Sequence, residues 1–416
     1  MGVKNIASYF FLLFFYVCFF MHYHVFAILD PVDFLSLQSI KKDLEDMPGS
    51  NFFSSWDFTT DPCTFSGVYC DSDKVIALNL GDPRAASPGL TGRINPAIGN
   101  LSALAEFTVV PGRIYGALPH SLANLNNLRF LGFSRNFISG DIPSSLGDLH
   151  NLRTIDLSYN QLTGTIPQSI GALPELTNIL LCHNRLSGSI PRFKSQTLTR
   201  FDLKHNALSG SLNPESLPSS LQYLSLSWNQ LSGPMDQLLN RLDQLNYLDL
   251  SMNQFTGPIP VRLFSFPLTS LQLQRNRFTG PVEPKDEVSI PTVDLSYNRL
   301  SGEISAMLGK VENLYLNSNR FTGRVPGSLV KQLLESSIQI LYLQHNYLTG
   351  IEISPTAVIP ERISLCLHYN CMVPPVDTPC PFTAGNHTTR PIAQFEGSNP
   401  PCYYSAFDFS HCIVDE

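Results

Sequence analysis

Apolar residues recur along this chain in one frame, L-x-x-L-x-L-x-x-N-x-L-x-G-x-I-P, seen whole in Leu152–Pro167 as LRTIDLSYNQLTGTIP. The frame surrounds ten asparagines: Asn136, Asn160, Asn184, Asn206, Asn229, Asn253, Asn276, Asn298, Asn319 and Asn346. Their gaps are 24, 24, 22, 23, 24, 23, 22, 21 and 27 residues, and self-similarity at that period marks a stacked repeat. In each unit L-x-L alternates strictly, so the leucines share one side of a short strand. Stacking these strands makes a parallel sheet. An asparagine set among core leucines must find partners, because an unpaired buried amide costs about 1–3 kcal/mol, so the ten amides are expected to tie successive coils together. The glycine permits a sharp bend, and Ile-Pro starts an extended return segment that needs no donor at the proline.

Outside the strict frame the period changes. Phe34, Leu37, Ile40 and Leu44 fall at helical spacing, which predicts a helix over Asp33–Glu45. Leu329, Leu333 and Leu334 do the same in the 27-residue gap before Asn346, predicting a helical turn on the outer side. Residues 1–27 combine Lys4, a Phe-rich apolar stretch and Val25-Phe26-Ala27. They read as a secretory signal cleaved after Ala27, with an uncleaved signal anchor as the alternative.

A chain of 416 residues would suggest two or three domains, but a fixed repeat grows by stacking, so one elongated domain is expected. A net charge of -7 argues against a nucleic-acid partner. Export implies oxidised cysteines, and eight remain after the signal: Cys63, Cys70, Cys182, Cys366, Cys371, Cys380, Cys402 and Cys412. Cys182 and Cys366 lie eight coils apart, about 38 Å at the parallel-strand spacing. A disulfide spans Cα atoms within about 7 Å. Cys182 is therefore expected to be a free thiol. Asn100 and Asn386 begin glycosylation sequons.

The frame resembles the plant-type leucine-rich repeat of polygalacturonase-inhibiting proteins and of the ectodomains of plant receptor-like kinases and receptor-like proteins. The resemblance covers about residues 76–370, with Gly112 where an asparagine is expected, Asn370 closing the array, and about twelve repeats. It implies an α/β solenoid: a right-handed superhelix with a parallel concave sheet and a second short strand near the Ile-Pro segments. SSWDFTTDPCTFSGVYC, with Trp56, Cys63 and Cys70, resembles the family's N-terminal cap, and a Cys63–Cys70 disulfide is expected there. The implied division is a signal peptide (1–27), an N-terminal cap (28–75), the array (76–370), and a Cys/Pro-rich C-terminal cap and tail (371–416). Cys371 with Cys380 is the expected closing pair; Cys366, Cys402 and Cys412 are left open.

The residue before each asparagine is expected on the concave face: Arg135, Tyr159, His183, His205, Trp228, Met252, Arg275, Tyr297, Ser318 and His345. Such aromatics and bases supply contact area and charge-assisted hydrogen bonds, so all but Ser318 are named as ligand-binding candidates. His183, His205 and His345 are expected to charge in mild acid. Asp156, Asp202, Asp249 and Asp294 recur in every second coil, about 10 Å apart, but on an open surface nothing poises them for acid–base work. Cys182, His183 and His205 on neighbouring coils lack a further ligand, so neither a metal site nor a cofactor is expected. No nucleophile elbow, P-loop, kinase set or HExxH appears, so no catalytic residue is named. The leading reading is a secreted or cell-surface recognition protein, at the cell wall or associated with the membrane. It would bind an extracellular protein or peptide and work with a membrane receptor kinase in signalling or defence. The alternative is an inhibitor of fungal polygalacturonase.

Overall fold

A computed structural model describes residues 29–81, 89–109, 111–236, 241–376, 380–381 and 389–390. The expected signal segment, the Asn386 sequon, Cys402 and Cys412 lie outside these residues. The alternating leucines form the backbone of the molecule, a sheet of 14 strands running from Val68–Asp71 to Ser364–Cys366. Only its first pair, Val68–Asp71 with Lys74–Leu80, is antiparallel. Every later strand is parallel and in strict register, so Ile155 faces Leu131 on one side and Ile179 on the other, all three buried. The strands are short because the chain must turn at each asparagine. Thr154–Asp156 is representative at three residues.

The asparagines hold the coils in that register. Asn160 Oδ1 accepts the Ile138 N–H at 3.0 Å, while its Nδ2 donates to Phe133 O at 2.8 Å, one coil back, and to Leu157 O at 3.1 Å in its own coil. Asn370 repeats the arrangement, accepting from Leu348 N and donating to Leu343 O. Gly112 lacks an amide because a Cβ there would run into Leu90 O. The second strands also appear, four in one ladder and eight in another, joined at Thr165–Ser187. Gly164 ends one of them at φ 69°, where a side chain would strike the Asp141 carboxylate.

Both ends depart from the expected detail. The first described helix is Pro31–Lys42, not 33–45: Asp30 caps it, accepting from Val32 and Asp33 N–H, and Leu44–Asp46 instead pairs antiparallel with Leu90–Gly92. Leu44 is buried as its spacing implied, but as a strand residue. Under the helix the Asp33 carboxylate is buried, accepts from Val75 N and faces Lys74. Trp56 packs among Phe52, Phe53, Phe58 and Phe65, beside the Cys63–Cys70 disulfide. The later helix, Gly327–Leu334, buries Leu329, Val330 and Leu333 and leaves Leu334 partly exposed. Among the described residues, no helix is long and apolar enough to cross a membrane.

The closing disulfide corrects the expected Cys371–Cys380 pair. Cys380 bonds Cys366, with Cα atoms 5.0 Å apart. Cys366 sits in the last described strand of the sheet, and Cys380, beyond Asn370, meets it there. Cys371 is disulfide-bonded too. Cys182 is a buried free thiol, as the coil spacing required.

Candidate ligand-binding face

At the position before each asparagine the backbone is left-handed: the ten residues from Arg135 to His345 have φ of 54–59° although none is glycine. That conformation costs about 1–2 kcal/mol per residue, so it must be imposed. Hydrogen bonds on both sides of the residue impose it. Tyr159 N–H donates to Cys182 O at 2.8 Å in the next coil, and Tyr159 O accepts from Asn136 N at 3.2 Å in the previous one. His183 and His205 are held alike, through Lys204 O and Ser227 O.

This fixed backbone lines the side chains up along the array. Tyr159 stacks on His183 at 4.2 Å between ring centroids, His183 on His205 at 4.3 Å, and His205 on Trp228 at 4.8 Å. The Arg135 guanidinium lies 4.5 Å over Tyr159 and ends the stack on that side. Trp228 ends it on the other, half exposed at 50%, with Met252 in the next coil. Beyond it the column breaks into smaller groups: Arg275 over Tyr297 at 4.3 Å, and His345 beside Tyr369 at 4.6 Å. The nine candidates therefore fall into a five-membered stack, two pairs involving Arg275 with Tyr297 and His345 with Tyr369, and Met252 between them.

A second column, on the strands themselves, was not singled out from the sequence. Arg200 lies 4.3 Å over Tyr223, which stacks on Tyr247 at 4.5 Å. Further along, at the strand position that Asp249 and Asp294 hold in earlier coils, Tyr315 meets Tyr342 edge to face, and Tyr342 Oη is 3.0 Å from Ser364 Oγ. The signal was available one strand position before each central leucine, where Tyr223 and Tyr247 stand in adjacent coils in register. Burial pushes both phenols above their ordinary range.

The aspartates serve the turns. Asp156 Oδ1 accepts from Ser158 N and Oγ, Asp249 Oδ1 does the same for Ser251, and Asp202 Oδ1 accepts from Lys204 N. Burial raises the Asp202 and Asp294 carboxyls above the usual range. Two of the three histidines, His183 and His205, charge less readily than a free imidazole. Burial first, then His205, Lys204 and Arg135, holds His183 below its ordinary range; burial and Lys204 do so for His205. Cys366, His368 and Cys380 come within 4.8 Å of one another, but the disulfide occupies both sulfurs and leaves one metal donor. Asn100 is exposed at the end of the turn Pro96–Asn100, open to a glycan.

Residues 30–71 match the leucine rich repeat N-terminal domain, and residues 126–186, 220–242 and 244–266 match leucine rich repeats. The chain is built of leucine-rich repeats behind a leucine-rich repeat N-terminal domain. This repeat protein is homologous to plant receptor-like kinase ectodomains. Receptor-like kinase TMK4 of Arabidopsis thaliana is 35% identical over 83 residues, which are 20% of this chain and 8% of that protein. The solved plant peptide hormone receptor RGFR1 in complex with RGF2 is similar at 28% identity and a TM-score of 0.64, over 70% of this chain and 47% of that one. The leucine-rich repeat ectodomain of GASSHO1/SCHENGEN3 from Arabidopsis thaliana, in complex with CASPARIAN STRIP INTEGRITY FACTOR 2, follows at 27% and 0.55, over 81% and 50%. The repeat protein thus spans about half the length of these ectodomains. Its long sheet is the concave sheet of that fold.

Proposed function

We propose that this repeat protein is an extracellular recognition module that holds an extended peptide along its concave sheet and acts with a membrane receptor kinase. The observation that carries the reading is the stack from Arg135 to Trp228, a run of rings locked from below and open to solvent at the Trp228 end. Interface energy concentrates in such rigid aromatic anchors, and rings already held in place lose little freedom on binding. The similar RGFR1 is a plant peptide hormone receptor solved in complex with RGF2, which supports the same ligand class here. The Cys63–Cys70 and Cys366–Cys380 disulfides suit an oxidising, extracellular setting.

The chain has two tryptophans, Trp56 buried in the cap and Trp228 half exposed on the sheet. Ligand binding should therefore alter Trp228 emission and leave Trp56 unchanged. Titrating the full chain with synthetic secreted peptides is expected to yield a ligand whose affinity falls about 30-fold or more in Trp228→Ala. A ligand that binds equally well to Trp228→Ala, or a folded chain that binds none of them, overturns the proposal.

A further inference from the structure

One row on the floor of the concave sheet has polar atoms left over. In three consecutive coils Asp202, Ser225 and Asp249 stand side by side in register. Leu224 and Leu226, on either side of Ser225, face the core, so Ser225 and its two neighbours face the concave side. Each carboxylate gives one oxygen to its own turn: Asp202 Oδ1 accepts from Lys204 N, and Asp249 Oδ1 from Ser251 N and Oγ. Among the described residues neither second oxygen takes a hydrogen bond, and neither aspartate forms an ion pair; the paired bases are Lys74, Arg192, Arg262, Lys310, Arg324 and Lys331. Between the two aspartates the Ser225 hydroxyl is buried, its Oγ without a partner among the described residues. The carboxylate pairs to either side differ. Asp156 and Asp202 flank Leu180, while Asp249 and Asp294 flank Gln272, whose amide already bonds Ser270 Oγ.

A buried carboxylate without a counter-ion and a buried hydroxyl without a partner are both unfavourable, and side by side they describe a seat for a positively charged donor. Asp202 is buried and Asp249 half-buried. Tyr223 and Tyr247, two residues earlier on the strands of Ser225 and Asp249, stack ring on ring along one side of the row, and His205 and Trp228 stand along the other. Burial first, then Asp249, pushes the Tyr247 phenol up, in keeping with a negative floor. We infer that this row binds a primary ammonium group of the proposed peptide ligand, either a lysine side chain or the peptide's own N-terminus; the source of the ammonium rests on the peptide reading, the site itself does not. An ammonium carries three N–H donors, and Asp202 Oδ2, Ser225 Oγ and Asp249 Oδ2 offer three acceptors on rungs about 4.8 Å apart. A guanidinium is broad and planar and pairs one carboxylate through two parallel bonds, which suits neither three separate acceptors nor so closed a floor. Lys204, two residues along from Asp202, pairs with neither carboxylate among the described residues and leaves the seat unfilled.

The test titrates the full chain, by saturation-transfer NMR, with Nα-acetyl-lysine methylamide, which offers a side-chain ammonium, and with phenylalanyl-glycinamide, which offers an α-ammonium. Nα,Nε-diacetyl-lysine methylamide and Nα-acetyl-arginine methylamide are the neutral and guanidinium controls. Asp202→Asn/Asp249→Asn keeps both Oδ1 acceptors for the turns and is compared with the charge-matched Asp156→Asn/Asp294→Asn, and thermal melts check that both fold. At least one ammonium probe is expected to bind, and which one names the source. Both control probes should bind at least about tenfold more weakly, and the row variant should lose about tenfold or more where its charge-matched counterpart loses little. No binding of either ammonium probe, equal binding of the neutral or guanidinium probe, or equal losses in the two variants overturns the inference. Ammonium binding by a chain that takes no secreted peptide supports this site and overturns the peptide reading alone.

Discussion

Asn253→Ala removes one clasp of the coil stack, and the geometry sets the size of the effect. Asn253 is buried; Oδ1 accepts Leu231 N–H at 2.9 Å, and Nδ2 donates to Leu226 O at 2.9 Å and Leu250 O at 3.2 Å. The two carbonyls do not lose everything: Leu226 O keeps Asn229 Nδ2 and Leu250 O keeps Asn276 Nδ2. The Leu231 N–H loses its side-chain acceptor between coils. One orphaned buried donor costs about 1–3 kcal/mol, and the weakened carbonyl contacts add about 1 kcal/mol, so roughly 2–4 kcal/mol is expected. Asn253→Asp should cost more at neutral pH, because its second oxygen would face the Leu226 and Leu250 carbonyls, and that of Ser251 at 3.1 Å, where an NH2 had donated. Protonation gives that oxygen one donor, so acid should recover part of the loss. Urea unfolding gives the stability change, and hydrogen exchange reads the Leu231 amide directly. An Asn253→Ala chain within 1 kcal/mol of the wild type, or with Leu231 exchange unchanged, would refute the clasp argument.

Three further outcomes follow. Non-reducing peptide mapping should recover a Cys366–Cys380 linkage; a Cys371–Cys380 peptide would contradict the closing geometry. Burial, with Asp202 nearby, pushes the Cys182 thiol up to about 11, so at pH 8 alkylation of Cys182 should wait for unfolding, and rapid native labelling of that residue would show the coil is open. His183 and His205 have folded pKa values below the ordinary 6.5, so the unfolded chain takes up protons first. Stability attributable to them is therefore full above about pH 6.5 and falls as pH drops from there toward the folded pKa. Titration midpoints at or above 6.5 by NMR would reverse that sign.

How much of this was legible depended on whether a feature belonged to the repeat. Asn160 and Leu157 are read easily, because one coil's environment is every coil's environment and the period multiplies the signal. Cys380 belongs to no repeat, and its partner was decided by its meeting the last described strand, which spacing along the sequence does not encode. The helix end was misplaced for a related reason: Leu44 is buried whether it continues the helix or starts a strand against Leu90–Gly92, so its apolar character could not choose between them. Tyr223 and Tyr247 were overlooked because attention rested on the positions flanking the asparagine, although the same register places them ring on ring. The left-handed backbone leaves no mark in residue type at all, since arginine, tyrosine, histidine, tryptophan and methionine all adopt it here.

That last feature connects stability to recognition. Left-handed backbone at a tyrosine or tryptophan is unfavourable by itself and persists because neighbouring coils bond the residue's N–H and C=O. The cost is met once, on folding, by the hydrogen bonds between coils. Rings such as Tyr159, His183, His205 and Trp228 then stand at coil spacing, close enough to stack, before any ligand arrives. A flexible loop with the same residues would have to order them during binding at about 0.5–1.5 kcal/mol per side chain. On the proposed reading, four rings held this way would spare a ligand roughly 2–6 kcal/mol, a gain that comes from the backbone hydrogen bonds between coils and not from the exposed rings alone.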